Sequence, residues 1–285
     1  MASRKVKCAL AAALLLIAAA EASAYSRIIS LYSGHIDNII ALGGEGTLIA
    51  LPKNDEPRRL ENLPRVPQKP GAETIIALRP DLVIMRTMNE KQNPGLSEVL
   101  KRAGIEVRLI DPPSWDGFEA YLRGLAPLIG ADPEEAAKKF ADACSGISRE
   151  AQNLKGDAPS PKVFVEATAK ELHTCAPDSW AAHLIALCGG ENAAASATPN
   201  RKGSAVAPWG LERTMRTAAG LDVYLVQHGA MNRSTPEETA SRPWASVLKG
   251  VRIAAIPEYE LSRPSLLGLE NGCGKLMEIF YKDGK

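Results

Sequence analysis

Aromatic residues are scarce in this chain. They make up only 5% of its 285 residues, and there are only four histidines. Apolar residues still reach 45%, so any core must be mainly Leu, Ile, Val and Ala. Neither sign of charge prevails, with 34 basic against 33 acidic residues, which gives no electrostatic case for nucleic acid or an anionic membrane. No CxxC pair is present, which argues against a structural zinc site. The Asp and Glu residues form no paired-carboxylate motif. The stretch "GGEG" (43–46) ends a helical segment and lacks a GKS/T element, so it is not a phosphate loop. His173 and Cys175 offer a base and a nucleophile. Two residues apart on an extended segment they do not touch, and no third group orients them. A periplasmic metallo-enzyme or redox protein is therefore only a remote alternative. No apolar run long enough to span a membrane occurs beyond the N-terminus.

The N-terminus has its own signature. Arg4, Lys5 and Lys7 precede the apolar run "CALAAALLLIAAA", which ends at the small-x-small triplet Ala22-Ser23-Ala24. This predicts a signal peptide over residues 1–24, cleaved after Ala24, and an exported, periplasmic protein. Cys8 opens the apolar run, ahead of the cleavage site, and so cannot carry a lipid on the mature chain. Four cysteines remain: Cys144, Cys175, Cys188 and Cys273. In an exported protein an even count suggests disulfides, and three full pairings are possible.

The remaining chain alternates short apolar strands with amphipathic helices. Strands are expected at 27–33, 47–52, 81–86 and 106–111, then at 162–167, 222–227 and 252–257. Continuous apolar strands between helices indicate parallel sheets covered on both faces. The segment 132–154 reads as one long helix, with Asp132 as its cap, Pro133 in its first position and two glutamates after it. The expected fold is two Rossmann-like α/β lobes, 25–125 and 157–285, joined by a linking helix within 126–156.

"LPRVPQKPGAETIIALRPDLVIMR", "LKRAGIEVRLIDPPSWDGFEAYLRGLAPLIG" and, later, "LCGGENAA" and "RIAAIPEYELSRP" give the chain a specific resemblance. It resembles the periplasmic substrate-binding proteins of ABC importers for cobalamin, ferric siderophores and heme. The resemblance implies a ligand cleft between the lobes, a rigid connecting helix and delivery to a permease dimer driven by ATPase subunits. It implies no catalysis, no intrinsic cofactor and a monomer. Glu73 and Glu212 match the acidic residues that such proteins use to dock on the permease, one on each lobe; both also suit helix N-termini in their own right. Cys188 and Cys273 match a cysteine pair that is a disulfide in the similar cobalamin-binding protein.

Loops at strand ends should line the cleft. They offer His35, Arg86 and Asn89 from the first lobe, and His173, Cys175, Trp180, His228 and Arg263 from the second, with Asn232 and Tyr259 nearby. Trp180 and Trp209 could stack on a flat ring. Imidazole can ligate iron or cobalt, and arginine forks match propionate or siderophore oxygens. The expected ligand is an iron or cobalt chelate. The histidines put iron complexes, siderophore or heme, first; the low aromatic content argues mildly against a cobalamin cage. The alternative is a bare metal ion held by His35, His173 and His228.

Overall fold

The computed structural model describes residues 24–57 and 59–282, so the expected signal segment falls almost wholly outside the described residues. The first lobe is a five-stranded sheet of β1 (Ile28–Ser30), β2 (Leu48–Pro52), β3 (Arg65–Val66), β4 (Leu82–Met85) and β5 (Glu106–Leu109). Its order is β3-β2-β1-β4-β5, with every pairing parallel. The interior strand β4, Leu-Val-Ile-Met, is buried at all four positions. That uninterrupted burial follows from helices covering both faces of a parallel sheet. Those around this lobe are α1 (Ser33–Ala41), α2 (Ala72–Ile76), α3 (Thr87–Gln92), α4 (Leu96–Arg102) and α5 (Phe118–Leu125).

Helix α6 (Pro133–Lys155) runs from one lobe to the other. Asp132 caps it by accepting from the backbone N–H groups of Glu134 and Glu135 at 2.9 and 2.8 Å. Pro133 occupies the first turn, and the helix stops at Gly156. At 1.5 Å per residue it is about 35 Å long. The second lobe is a four-stranded parallel sheet of β6 (Lys162–Glu166), β8 (Glu191–Asn192), β10 (Val223–His228) and β11 (Arg252–Pro257), in the order β11-β10-β6-β8. Its helices are α7 (Trp180–Leu187), α8 (Leu211–Ala218), α9 (Pro236–Ala240), α10 (Glu258–Leu261) and α11 (Leu266–Met277). A small antiparallel ladder, β7 (His173–Cys175) with β9 (Val206–Pro208), lies beside it.

Where the lobes join, the scarce aromatics collect. Trp115 stacks on His183 with ring centroids 4.9 Å apart and planes 9° apart, and it packs against Trp180 and Phe140. Phe118 meets Tyr121, Phe140 and Trp180 within 6 Å. These rings belong to α5, α6, α7 and the segment before α5, and they merge with the apolar face of the second sheet into one core. Among the described residues no helix is long and apolar enough to cross a membrane.

One polar cluster is buried inside the second lobe. Glu166, at the end of β6, is fully buried and forms an ion pair with Arg242. It accepts from the Tyr224 hydroxyl at 2.5 Å and from Asn232 Nδ2 at 3.1 Å. Burial would raise its carboxyl, but Arg242 and Tyr224 outweigh burial and hold it below the usual carboxylate range. Asn232 also donates to the Glu166 carbonyl and accepts from the Ser234 N–H, so the loop after β10 is pinned at its C-terminal side.

Candidate functional site

A cavity of about 360 Å³ opens between the lobes. The segments that form it leave the carboxyl ends of parallel strands, the usual place for a ligand on open α/β sheets. From the first lobe come Tyr32 and Ser33 after β1, Asn54 and Glu56 after β2, Gln68 after β3, and Arg86, Met88, Asn89 and Gln92 after β4. From the second come Gly229 and Ala230 after β10, and Glu258, Tyr259, Ser262 and Arg263 after β11.

Two arginines face the cavity, one from each lobe. The Arg86 guanidinium lies 4.7 Å from the centre of the Tyr32 ring, and its buried Nε has no hydrogen-bond partner among the described residues. Arg263 lies 5.6 Å from the Tyr259 ring; its Nη1 donates to Asp37 at 3.2 Å and to the Glu56 carbonyl. Glu56 and Glu258 supply two carboxylates, so among the described residues the lining carries two cations and two anions. The rest of its polar surface is neutral: amides of Asn54, Gln68, Asn89 and Gln92, hydroxyls of Ser33 and Ser262, and the phenols. Burial pushes the Tyr32 phenol up to about 12, against the pull of Arg263 and Arg86, so it is a neutral donor at physiological pH.

Among the residues expected in the cleft, Arg86, Asn89 and Arg263 line the cavity. Asn89 spends its Oδ1 capping its own helix, accepting from the Arg86 N–H at 2.9 Å, and keeps its NH2 group for other partners. Tyr259 is there as well, whereas Asn232 is buried against Glu166.

The other expected contacts sit elsewhere, for identifiable reasons. His35 is fully buried: its Nε2–H donates to the Ile110 carbonyl at 3.0 Å, and its Nδ1 accepts from the Tyr121 hydroxyl at 2.8 Å. Desolvation by burial lowers it to about 4, so it is neutral and fully satisfied. His173, expected on a loop, is a half-buried strand residue of β7 and lies near Thr168 and the Lys170 carbonyl. Cys175, two residues on, points into the core, where burial pushes its thiol up to about 11. Trp180 opens α7 inside the aromatic joint, and Ser179 caps that helix by accepting from Ala182 N. Trp209 is buried against Phe164, with the Arg213 guanidinium 3.6 Å from its ring. His228 is exposed at the end of β10, bonded through Nδ1 to the Ser234 carbonyl and outside the lining. His35, His173 and His228 thus do not converge. Among the described residues, no group of three or more His, Cys, Asp or Glu side chains could hold a metal ion.

Tyr32, Glu258, Gln68 and Met88 are lining residues that residue chemistry did not single out. Position would have found two of them, since Tyr32 lies two residues after β1 and Glu258 directly follows β11.

Cys188 and Cys273 are neighbours, as the resemblance implied, but they are thiols here and not a disulfide. Cys188 Sγ lies 3.7 Å from the Cys273 carbonyl, and the Cys273 side chain beside it, together with burial, raises the Cys188 thiol. Cys144 is half-buried on α6 and packs against the same core. Glu73 and Glu212 are both exposed in the first turns of α2 and α8, away from the cavity lining. Glu212 pairs with Arg216 at 3.2 Å and is flanked by exposed Leu211 and Met215.

No family profile matches the chain. A vitamin B12-binding protein of Yersinia pestis (strain Pestoides F) is 28% identical over 187 residues, which are 64% of this chain and 65% of that protein. The periplasmic heme-binding protein HutB of Vibrio cholerae superposes with a TM-score of 0.71 at 21% identity, covering 90% of this chain and 98% of its own. A possible iron-binding periplasmic solute-binding protein of Staphylococcus epidermidis superposes with a TM-score of 0.72 at 19% identity, covering 90% and 99%. All three are binding proteins rather than enzymes. The chain has the two-lobe α/β fold of the periplasmic solute-binding proteins.

Proposed function

We propose that this protein is an exported, periplasmic solute-binding protein that holds a metal chelate between its lobes and passes it to an ABC importer. A corrinoid is the chelate the cavity suits best. The observation that carries this reading is the balance of the lining among the described residues: Arg86 and Arg263 are matched by Glu56 and Glu258, and the remaining polar groups are amides, hydroxyls and phenols. Such a surface suits a bulky, near-neutral ligand fringed with amides. It gives no net attraction to the carboxylates of heme or the negative charge of many ferric siderophores. The argument for iron rested on histidines, and none of them lines the cavity. The B12-binding relative agrees with a corrinoid, although the alignment covers only 65% of its length.

A heme reading has one feature in its favour, a pair of arginines from opposite lobes, the residue type that pairs with carboxylates. Titration of the purified protein with cyanocobalamin, hemin and a neutral ferric hydroxamate, followed by absorption and calorimetry, separates the candidates. Saturable binding of cyanocobalamin with weaker hemin binding is expected; the reverse order would replace the corrinoid by heme.

In the same reading, residues 25–125 and 157–285 are the lobes and 126–156 the link. Glu73 and Glu212, one exposed carboxylate per lobe, meet basic groups of the two permease subunits. Reversing both charges should abolish transport while leaving ligand binding intact.

A further inference from the structure

Two adjacent residues of α1 reach out of the first lobe and hold the second. Asn38 is fully buried. Its Nδ2 donates to the Gly34 carbonyl of its own helix at 2.8 Å and to the Pro264 carbonyl of the other lobe at 3.2 Å, and lies 3.3 Å from the Tyr121 hydroxyl. Its Oδ1 accepts from the Leu266 N–H at 2.9 Å. Leu266 is the first residue of α11, and the first N–H groups of a helix have no partner within the helix. Asn38 therefore acts as an interlobe cap. Next to it, Asp37 is also buried and forms ion pairs with Arg59 of its own lobe and, at 3.2 Å, with Arg263 of the other. The segment 263–266 is thus tied to α1 at both ends, and its first residue is the cavity-lining arginine.

We propose that Asp37 and Asn38 form an interlobe staple that holds the cleft at one width in the ligand-free protein and fixes Arg263 in the cavity. Helix α6 alone resists bending along one line. A second tie across the cleft floor removes the rotation that one helix leaves free. A buried amide bonded on both sides, next to a buried charge paired on both sides, is costly to separate, because each half left behind would be an unsatisfied buried polar group. The role of Arg263 rests on the proposed ligand site; the staple itself does not.

Backbone hydrogen exchange in the ligand-free protein tests the staple without any ligand. The Leu266 amide has no intrahelical acceptor, so its protection reports the bond to Asn38 alone. It should exchange as slowly as core amides of β4 and β10. In Asn38→Ala it should exchange at least about 100-fold faster while the β4 and β10 amides stay slow, which separates opening of the staple from unfolding. A Leu266 amide that exchanges freely in the wild-type protein overturns the proposal, even if Asn38→Ala fails to fold. A double-mutant cycle tests the link to Arg263, with cyanocobalamin and, in parallel, hemin as probes. Asp37→Asn should weaken binding about tenfold, yet have no further effect in an Arg263→Ala background. Additive losses would mean that Asp37 acts only on general stability and would remove the positioning role. If neither probe binds any form, the ligand reading fails while the exchange result still decides the staple.

Discussion

The joint between the lobes and the cavity between them lie side by side and are made of opposite materials. The joint is buried and aromatic, with Trp115, Phe118, Phe140 and Trp180 packed at tilted and edge-on angles. The cavity next to it is charged, amide-rich and open to water, and tyrosine is its only aromatic residue among those described. Rings in a closed joint give large buried area and fixed geometry, which keeps two rigid lobes in register. Polar groups in the cavity can exchange water for ligand at small net cost. Aromatic content therefore says little about the ligand of this chain, because the rings that could have stacked on one are engaged elsewhere.

The largest effect that separates the two regions should come from the joint. Trp180→Ala leaves a void among three rings and should cost about 3–5 kcal/mol of stability, read by denaturant unfolding, with cavity geometry preserved in the folded fraction. A loss below 1 kcal/mol would mean that the joint is loosely packed. Nearly as large is the effect expected at the seam, where His35 touches both regions: it meets Tyr32 of the cavity at 5.0 Å and bonds Tyr121 of the joint. Burial lowers it from 6.5 to about 4, so the folded protein holds it neutral while the unfolded chain takes up a proton first as the pH falls. The stability it supports is complete above pH 6.5, declines through that window and levels off below pH 4, a loss of about 3 kcal/mol. The pH dependence of the unfolding free energy should flatten in this window in His35→Gln. A similar slope in the variant would place the titration elsewhere.

In the cavity the expectation is reversed. Arg86→Ala should weaken chelate binding by about 1.5–3 kcal/mol, the range of a hydrogen bond to a charged group, and change the unfolding free energy by less than that. A variant that binds normally but is strongly destabilised would make Arg86 a packing residue. The smallest effect is expected at the surface. Glu73→Lys should leave both stability and binding within about 0.5 kcal/mol and show itself only in transport.

Seven of the nine strands of the two main sheets were legible because they are apolar runs bounded by turns, and "DLVIMR" and "DVYLVQ" became β4 and β10 within a residue or two; the two-residue edge strands β3 and β8 offer no such run and were not expected. The ladder of β7 and β9 was not legible either, since three residues cannot show a two-residue period and the partner strand lies some thirty positions away. In the site, the cleft candidates were placed on loops after strands, and of these Arg86, Asn89 and Arg263 reached the cavity. The histidines, Cys175 and Trp180 did not. His35 shares a helix with buried Ile36 and Ile39, and Trp180 begins the apolar helix "WAAHLIAL", so burial claimed both side chains before any ligand could. The imidazole of His35 found protein partners within hydrogen-bond distance on both nitrogens, which leaves none for a metal.

The buried cluster around Glu166 has a consequence for how this protein can change over generations. Asn232 and Ser234 bolt one side of the loop after β10 to the sheet, while Ala230 lines the cavity and the Met231 side chain projects into solvent. Substitutions at the tip can alter what the rim touches without disturbing its mounting. New ligand preferences could therefore accumulate at 230 and 231 by single steps, each leaving a folded, stable intermediate.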